Sequence, residues 1–574
     1  MTIHNTDATT ADYEKIKVAL AASFLLSLTL FFFGPVNLYY TNIMEIPFSF
    51  SNFWYYILAI VLFVGSILSL LLWWLKGSSH TTASAVVFAL GLLFWIQGNI
   101  LVWDYGLFDG HEIIFENYFW NGVIDSLVWI GILVAGFLYS KRLYRHIVLL
   151  CSLLIIVQAA GLMVVSYSAP EESEWKNLQD NPDHTKMYEF SANTNVIIII
   201  LDSFQSDIFQ EIINENPEYS NMFDGFTYYR NNVAGFPFTN PSITYILSGI
   251  FYDNSVPFSQ FIKNISLHYS LPLLLKENGV RVDIKPYLLK PFFPSNEIYD
   301  TIDGFSWKNH DGFSAEDFLV ITPIYRLTFF RFVPQVLKRH FYGTSSSGLS
   351  FTMPKGSIQN DTTVYSNFNS AIRVSAPERI FKLFDLTGPH VPYQLNENLS
   401  YVKLPQNITG YKSQAKASLK ISYALLKSLK QNSSYDNSLI FIIGDHGSGA
   451  TTDATATNYA PYSRGVPLML VKPFNSTGTL ATSDSPVSLG DIPKTIADEL
   501  KIKNRLPGSS IFSVNETDSR IRIYYFYDLR PEDFQIYCEY LSPLREYRIS
   551  GFSWNTSSWE PTHREYTSEG VKYS

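Results

Sequence analysis

Four short stretches carry side chains able to hold a metal ion or a phosphate, and three of them stand in the same place relative to an apolar run. Asp202 follows Val196–Leu201 (VIIIIL). His390 follows Ile380–Leu386 (IFKLFDL) after Thr-Gly-Pro. Asp445 and His446 follow Leu439–Ile443 (LIFII) after Gly444. The fourth stretch is Phe238–Gly249 (FTNPSITYILSG). Thr239 lies just before Pro241, and proline favours the first turn of a helix. Thr239 therefore falls at or just before a helix N-terminus, where free N–H groups and the dipole favour a phosphate. A hydroxyl held beside a divalent cation is an activated nucleophile. Taken singly, Thr239 reads more simply as an N-cap and His390 as a structural histidine; their joint placement is the signal.

The three apolar runs are continuous rather than alternating, the pattern of parallel strands buried on both faces. Helical stretches such as Gln414–Gln431 lie between them. An open α/β sheet binds its ligand beyond the carboxyl ends of its strands, so the three polar endings are expected to share one site. Asp207 is expected to cap the helix after the first strand. Ser242, Asp385 and Asp491 read as structural.

What precedes this domain is of a different kind. The chain of 574 residues is 47% hydrophobic but only 16% charged, against about 25% charged in ordinary soluble proteins. The deficit lies in the first 170 residues. Five apolar stretches occur there, at Ile16–Val36, Phe53–Leu75, Thr82–Val102, Val123–Tyr139 and Ile147–Tyr167. Each approaches or exceeds the ~20 residues that cross a bilayer as a helix, and five in succession do not fit a cleaved signal peptide. Lys15 and Lys17 precede the first span, Lys76 joins spans two and three, and Lys141, Arg142 and Arg145 join spans four and five. The loops Asn37–Asn52 and Trp103–Asn121 hold no Lys or Arg. This asymmetry places the N-terminus in the cytoplasm and everything after the fifth span outside it. Aromatic residues gather at the span ends, among them Trp73, Trp74, Trp103 and Trp120. The expected organisation is a five-helix transmembrane domain over 1–167, a polar linker over 168–194 and an extracytoplasmic catalytic domain over 195–574. A net charge of −9 without a basic run excludes a nucleic-acid binder that relies on phosphate attraction. Cys151 and Cys538, far apart, exclude a disulfide framework and a cysteine-based zinc site.

Taken together, the motifs resemble the alkaline phosphatase superfamily in its sulfatase-like branch. Thr239-Asn240-Pro241-Ser242-Ile243-Thr244-Tyr245-Ile246-Leu247-Ser248-Gly249 is similar to that branch's Cys/Ser-x-Pro-Ser-Arg-x-x-Leu-Leu-Thr-Gly nucleophile motif. Asn195–Asp207 resembles its first metal-ligand strand, Gly388–Tyr393 its Gly-Pro-His-x-Pro-Tyr segment, and Ile442–Gly447 its Asp-His-Gly metal motif. Arg464–Leu468 and Ser488–Pro493 resemble its tail strand and helix. Five spans followed by such a domain look most like lipoteichoic acid synthases and related phosphoglycerol transferases, an architecture shared with phosphoethanolamine transferases. The resemblance implies a multi-pass helical membrane domain followed by an α/β sulfatase-like domain, with a central, mostly parallel sheet between helices. It implies Asp202, Thr239, Asp445 and His446 as ligands of one divalent metal, an O/N set that suits Zn or Mn, with Mg a further candidate. It implies Thr239 as the nucleophile, and His390 as the group that protonates the leaving oxygen or holds the phosphate. Trp307, Asn309 and His310 occupy a region loosely comparable to a headgroup-binding one.

Three departures from the sulfatase pattern bear on chemistry. Thr239 replaces the Cys or Ser that sulfatases convert to formylglycine, and Thr cannot be so converted. Ser203 replaces a second metal-binding Asp, which points to a single metal. Ile243 replaces the motif Arg. Lipoteichoic acid synthases, for their part, use Glu where this chain has Asp202. The implied activity is transfer of phosphoglycerol or phosphoethanolamine from phosphatidylglycerol or phosphatidylethanolamine to an envelope glycan, at a bacterial cytoplasmic membrane. A phosphodiesterase or sulfatase-like hydrolase and a non-catalytic lipid sensor are the alternatives.

Overall fold

The computed structural model describes residues 4–43, 46, 50–105, 113, 115–169, 184–286, 298–303, 315–341, 356–449, 461–529 and 539–573. The chain divides into two compact units. One is Met1–Lys176 with Trp307–Pro354; the other is Asn177–Ser306 with Lys355–Ser574.

Among its described residues the first unit contains five helices long and apolar enough to cross a membrane: Asp12–Thr41, Trp54–Trp74, Gly77–Asn99, Phe115–Leu138 and Ile147–Ser168. Their number and positions match the expected spans. The first is longer than read from hydropathy, because it continues through a π-helical turn at Thr29–Phe33 into Gly34–Thr41. Pro35 follows that turn, where its missing N–H removes a helical hydrogen bond. One set of buried polar groups in this unit pairs internally. Asp125, fully buried, accepts from Gln97 Nε2 at 3.1 Å and Trp103 Nε1 at 2.8 Å, and Trp129 Nε1 donates to Gln97 Oε1 at 2.9 Å.

Two further helices, Ala315–Phe332 and Gln335–Lys338, belong to this unit although the sequence places them inside the catalytic domain. Asp125 Oδ2 caps the second by accepting from Gln335 N at 2.8 Å. Arg331 Nε donates to Gly98 O at 2.8 Å. Gly34 and Gly98 are what permit the approach: a Cβ would lie 2.6 Å from Thr328 and 2.5 Å from Phe332.

The second unit is built on an eight-stranded sheet. Its spatial order is Ala481–Ser483, Thr227–Tyr229, Met469–Lys472, Ser438–Ile443, Asn195–Leu201, Ile380–Leu386, Arg281–Lys285 and Thr301–Ile302. The last five of these run parallel, and Met469–Lys472 pairs antiparallel to both neighbours. All seven residues of Asn195–Leu201 are buried. Val196, Ile198 and Ile200 enter one apolar cluster, and Ile197, Ile199 and Leu201 enter the cluster on the opposite face. The run is continuously apolar because both faces are covered. The stretch expected as linker is structured at its end: Glu189–Ser191 pairs in parallel with Arg373–Ala376. A separate four-stranded antiparallel sheet closes the chain, from Ile521–Phe526 through Leu544–Ser550 and Trp559–Thr567 to Gly570–Tyr573.

Candidate active site

Each side chain of the site is delivered by the end of a regular element. Asp202 is the first residue past Asn195–Leu201 and Asp445 the second past Ser438–Ile443, on adjacent parallel strands. Thr239 is the first residue of the helix Thr239–Ser248, which ends at Gly249 in the left-handed conformation. The Thr239 hydroxyl lies 3.2 Å from His446 Nε2 and 3.4 Å from Asp202 Oδ2. His446 Nε2 is 3.4 Å from Asp445 Oδ2 and 3.8 Å from Asp202 Oδ1. One ligand atom from each of Asp202, Asp445 and His446 falls within 4.8 Å of the others, and all three residues are buried.

These groups fit a divalent cation. The Gly447 carbonyl 2.8 Å from His446 Nδ1 can only accept, so Nδ1 carries the proton and Nε2 offers a lone pair to the cluster. Burial lowers the basicity of His446, with Arg464 adding to the effect and both carboxylates opposing it. Asp445 Oδ1 accepts from two backbone amides, Ser203 N at 3.0 Å and His446 N at 2.9 Å. Its other oxygen, Oδ2, is buried and receives no hydrogen bond from the described residues. An ionised oxygen left in that state carries a large desolvation penalty unless a cation meets it. Two carboxylates, a neutral imidazole and a hydroxyl form an O/N ligand set.

Ser203, which stands where sulfatases have their second acidic ligand, points its hydroxyl to Asp202 Oδ1 at 2.9 Å. Its φ of 66° is the uncommon left-handed conformation for a residue other than glycine. The Tyr411 hydroxyl holds the Ser203 carbonyl at 2.7 Å.

His390 lies on the turn after Ile380–Leu386. That turn packs on Asp202 through Gly388, where a Cβ would sit 2.6 Å from the Asp202 nitrogen. Gln414 Nε2 fixes the turn by donating to the carbonyls of Gly388 at 3.0 Å and His390 at 2.8 Å. Asp361 fixes it from beneath, accepting from Thr387 N at 3.0 Å and Gly388 N at 3.2 Å. Burial pushes the Asp361 carboxyl up to about 7. Sequence reasoning missed Asp361 because nothing in the polar stretch Gly356–Ser370 distinguishes it. Arg464 was read only as part of a tail motif; it packs over Phe238, next to Thr239. Asp207 does not cap its helix. Gln205 holds the N-cap position, and Asp207 in the first turn accepts from Ile208 N at 2.8 Å. Asp491 is structural, completing a capping box with Ser488 and pairing with Arg520. Trp307, Asn309 and His310 lie outside the described residues.

Residues 194–502 match the sulfatase family model. No curated protein gives a significant match. Similar solved structures include Ps i-CgsB in complex with k-i-k-neocarrahexaose, at 16% identity and a TM-score of 0.42 over 64% of this chain and 86% of that one. The lipoteichoic acid synthase LtaP from Listeria monocytogenes matches at 14% identity and a TM-score of 0.38 over 65% and 88%. A protein of the alkaline phosphatase superfamily from Vibrio parahaemolyticus matches at 14% and 0.38 over 68% and 83%.

Proposed function

This chain belongs to the sulfatase family, and from that premise we propose that it is a membrane-bound phosphotransferase. It moves a phosphoglycerol or phosphoethanolamine headgroup from a phospholipid to a cell-envelope glycan through a phospho-threonine intermediate. The observation that carries this reading is the Thr239 hydroxyl within 3.4 Å of both Asp202 and His446 at the start of a helix. A threonine there cannot become formylglycine, but it can attack phosphorus.

Asp202, Asp445 and His446, with the Thr239 oxygen, would hold the divalent cation. When bound, the cation supplies Lewis-acid stabilisation of negative charge and favours the deprotonated hydroxyl. Thr239 Oγ1 attacks the phosphorus of the headgroup. A P–Oγ1 bond forms, the bond from phosphorus to the diacylglycerol oxygen breaks, and the threonine proton passes to Asp202 Oδ2. The first-turn N–H groups of Thr239 and Asn240 have no intrahelical acceptor and are available to the phosphoryl oxygens. His390 protonates the departing diacylglycerol oxygen or holds the phosphate. An acceptor hydroxyl then attacks phosphorus and gives its proton to His390, the P–Oγ1 bond breaks, and Thr239 recovers its proton from Asp202 Oδ2.

A phospholipid donor stays in the bilayer. Five spans on the same chain raise the effective concentration of the site at that surface without a new contact. The basic residues around spans one to five support a cytoplasmic N-terminus and an extracytoplasmic catalytic unit in a bacterial cytoplasmic membrane. Trp307, Asn309 and His310 are proposed to contact the headgroup.

The test uses full-length protein in vesicles containing phosphatidylglycerol or phosphatidylethanolamine with a radiolabelled headgroup, plus a glycan acceptor. Label should appear on the protein, be lost in Thr239→Ala, and chase into the glycan. Label released only as free glycerol phosphate or ethanolamine phosphate would instead identify a hydrolase.

A further inference from the structure

The helix that carries Thr239 begins without the usual fixing device. Its N-cap residue is Phe238, whose side chain makes no capping hydrogen bond, whereas Ser, Thr, Asp or Asn at that position would pin the first turn. The approach to Thr239 is held by other contacts. Ser242 Oγ donates to the Phe236 carbonyl at 3.2 Å, and Arg464, buried at 9% exposure, supplies the rest. Its Nη1 donates to the Pro237 carbonyl at 3.1 Å, and its guanidinium lies 4.6 Å from the centre of the Phe238 ring. The Phe238 ring in turn meets the His446 ring edge-on at 6.2 Å. The main chain of Arg464 holds the other half of the site, because its carbonyl accepts from Gly447 N at 2.9 Å. Gly447 must be glycine for that contact: a Cβ there would fall 2.1 Å from the Ser463 carbonyl oxygen. One residue thus grips the two positions before Thr239 and the position after His446, which are remote from each other in the chain.

We propose that Arg464 is a positioning residue that sets the Thr239 hydroxyl in register with the Asp202–Asp445–His446 group without touching substrate. The inference rests on the reading of Thr239 as nucleophile, but its structural half can be measured without turnover. Lysine should not substitute, because a point charge on a flexible stem cannot stack on Phe238 and donate in a fixed plane together.

The experiment takes the full-length protein and its Arg464→Met and Arg464→Lys variants in detergent. Amide hydrogen exchange is followed in peptides covering 236–242 and 195–201, together with Mn titration and label transfer. Expected are exchange at 236–242 faster by at least tenfold in both variants, unchanged exchange at 195–201 and unchanged Mn stoichiometry. With these go a kcat reduced about 100-fold, the scale of a ~1 Å misplacement, and an unaltered KM. Unchanged exchange at 236–242 overturns the proposal. So does faster exchange throughout with loss of Mn, which would make Arg464 a general structural residue, and so does a raised KM at normal kcat, which would make it a substrate ligand. If Thr239→Ala retains transfer while the exchange result holds, the functional reading has failed and the positional one stands.

Discussion

Two groups of buried charge lie on the central sheet, at opposite ends of its parallel strands, and they are balanced differently. Near the amino ends, Asp283 and Lys382 face each other in register on adjacent strands. Asp283 Oδ2 takes the Lys382 ammonium at 2.7 Å and Arg281 Nε at 3.0 Å, and Arg281 also reaches Glu189 at 2.8 Å and Glu378 at 3.0 Å. At the carboxyl ends, Asp445 Oδ1 receives two neutral amides and Oδ2 receives no donor. An orphaned oxygen is not by itself the distinguishing mark, because Asp283 Oδ1 lacks a donor too. What differs is the charge count. Protein cations answer the first carboxylate, whereas the second faces a neutral imidazole. The first cluster is complete as it stands; the second is complete once a cation joins it.

The largest effect expected on this comparison is at the incomplete end. Thr239→Ala should reduce transfer by roughly 10³-fold or more, as loss of a nucleophile does, in the labelled-vesicle assay, while Mn binding persists through the remaining three ligands. Next comes the complete end. Lys382→Met leaves Asp283 with Arg281 as its one cation and should cost about 1–3 kcal/mol of stability, read by urea unfolding. The double variant Lys382→Met with Asp283→Leu should recover much of that loss. A smaller effect is expected at Ser203, whose hydroxyl donates to Asp202 while its backbone amide, which the substitution keeps, donates to Asp445. Ser203→Ala should weaken Mn binding by about 10- to 100-fold, as loss of a ligand's hydrogen-bond partner does, measured by titration calorimetry.

The smallest effect is a pH slope. Burial raises the folded-state pKa of Asp361 to about 7, above its unfolded value of about 3.9. The folded chain then holds this proton more tightly than the unfolded chain does, so the contribution to stability is full below about pH 4 and is lost as pH rises through 7. Asp361→Asn should flatten the fall in melting temperature between about pH 4 and 7; an unchanged slope would assign that fall to other groups.

Much of this was legible in the sequence for identifiable reasons. The strand Asn195–Leu201 is buried on both faces, which forces a run of apolar residues that no surface strand needs. Thr239 could be placed at a helix start because Pro241 permits little else. The five spans were legible because hydrocarbon tolerates few polar groups. The helices Ala315–Phe332 and Gln335–Lys338 were not. Their sequence is apolar enough for a core helix and charged enough not to be a span, and what commits them to the membrane unit is a set of contacts at Gly34, Gly98 and Asp125. The closing antiparallel sheet was also hidden. Leu544–Ser550 mixes charged and aromatic residues, and its pairing shifts register between Arg545 and Tyr547, so the period of two is interrupted. Asp361 and Arg464 act through backbone contacts with distant loops, which no local pattern records.

The central claim, that Asp202, Asp445 and His446 gather around a divalent cation beside Thr239, is tested most directly by titrating Mn into purified, metal-stripped protein and into Asp445→Asn. The account predicts one tightly bound ion per chain in the parent and none in the variant. It also predicts a higher melting temperature for metal-free Asp445→Asn than for the metal-free parent, since the substitution removes an unanswered buried charge. Equal binding in the two proteins, or no binding in either, would contradict it.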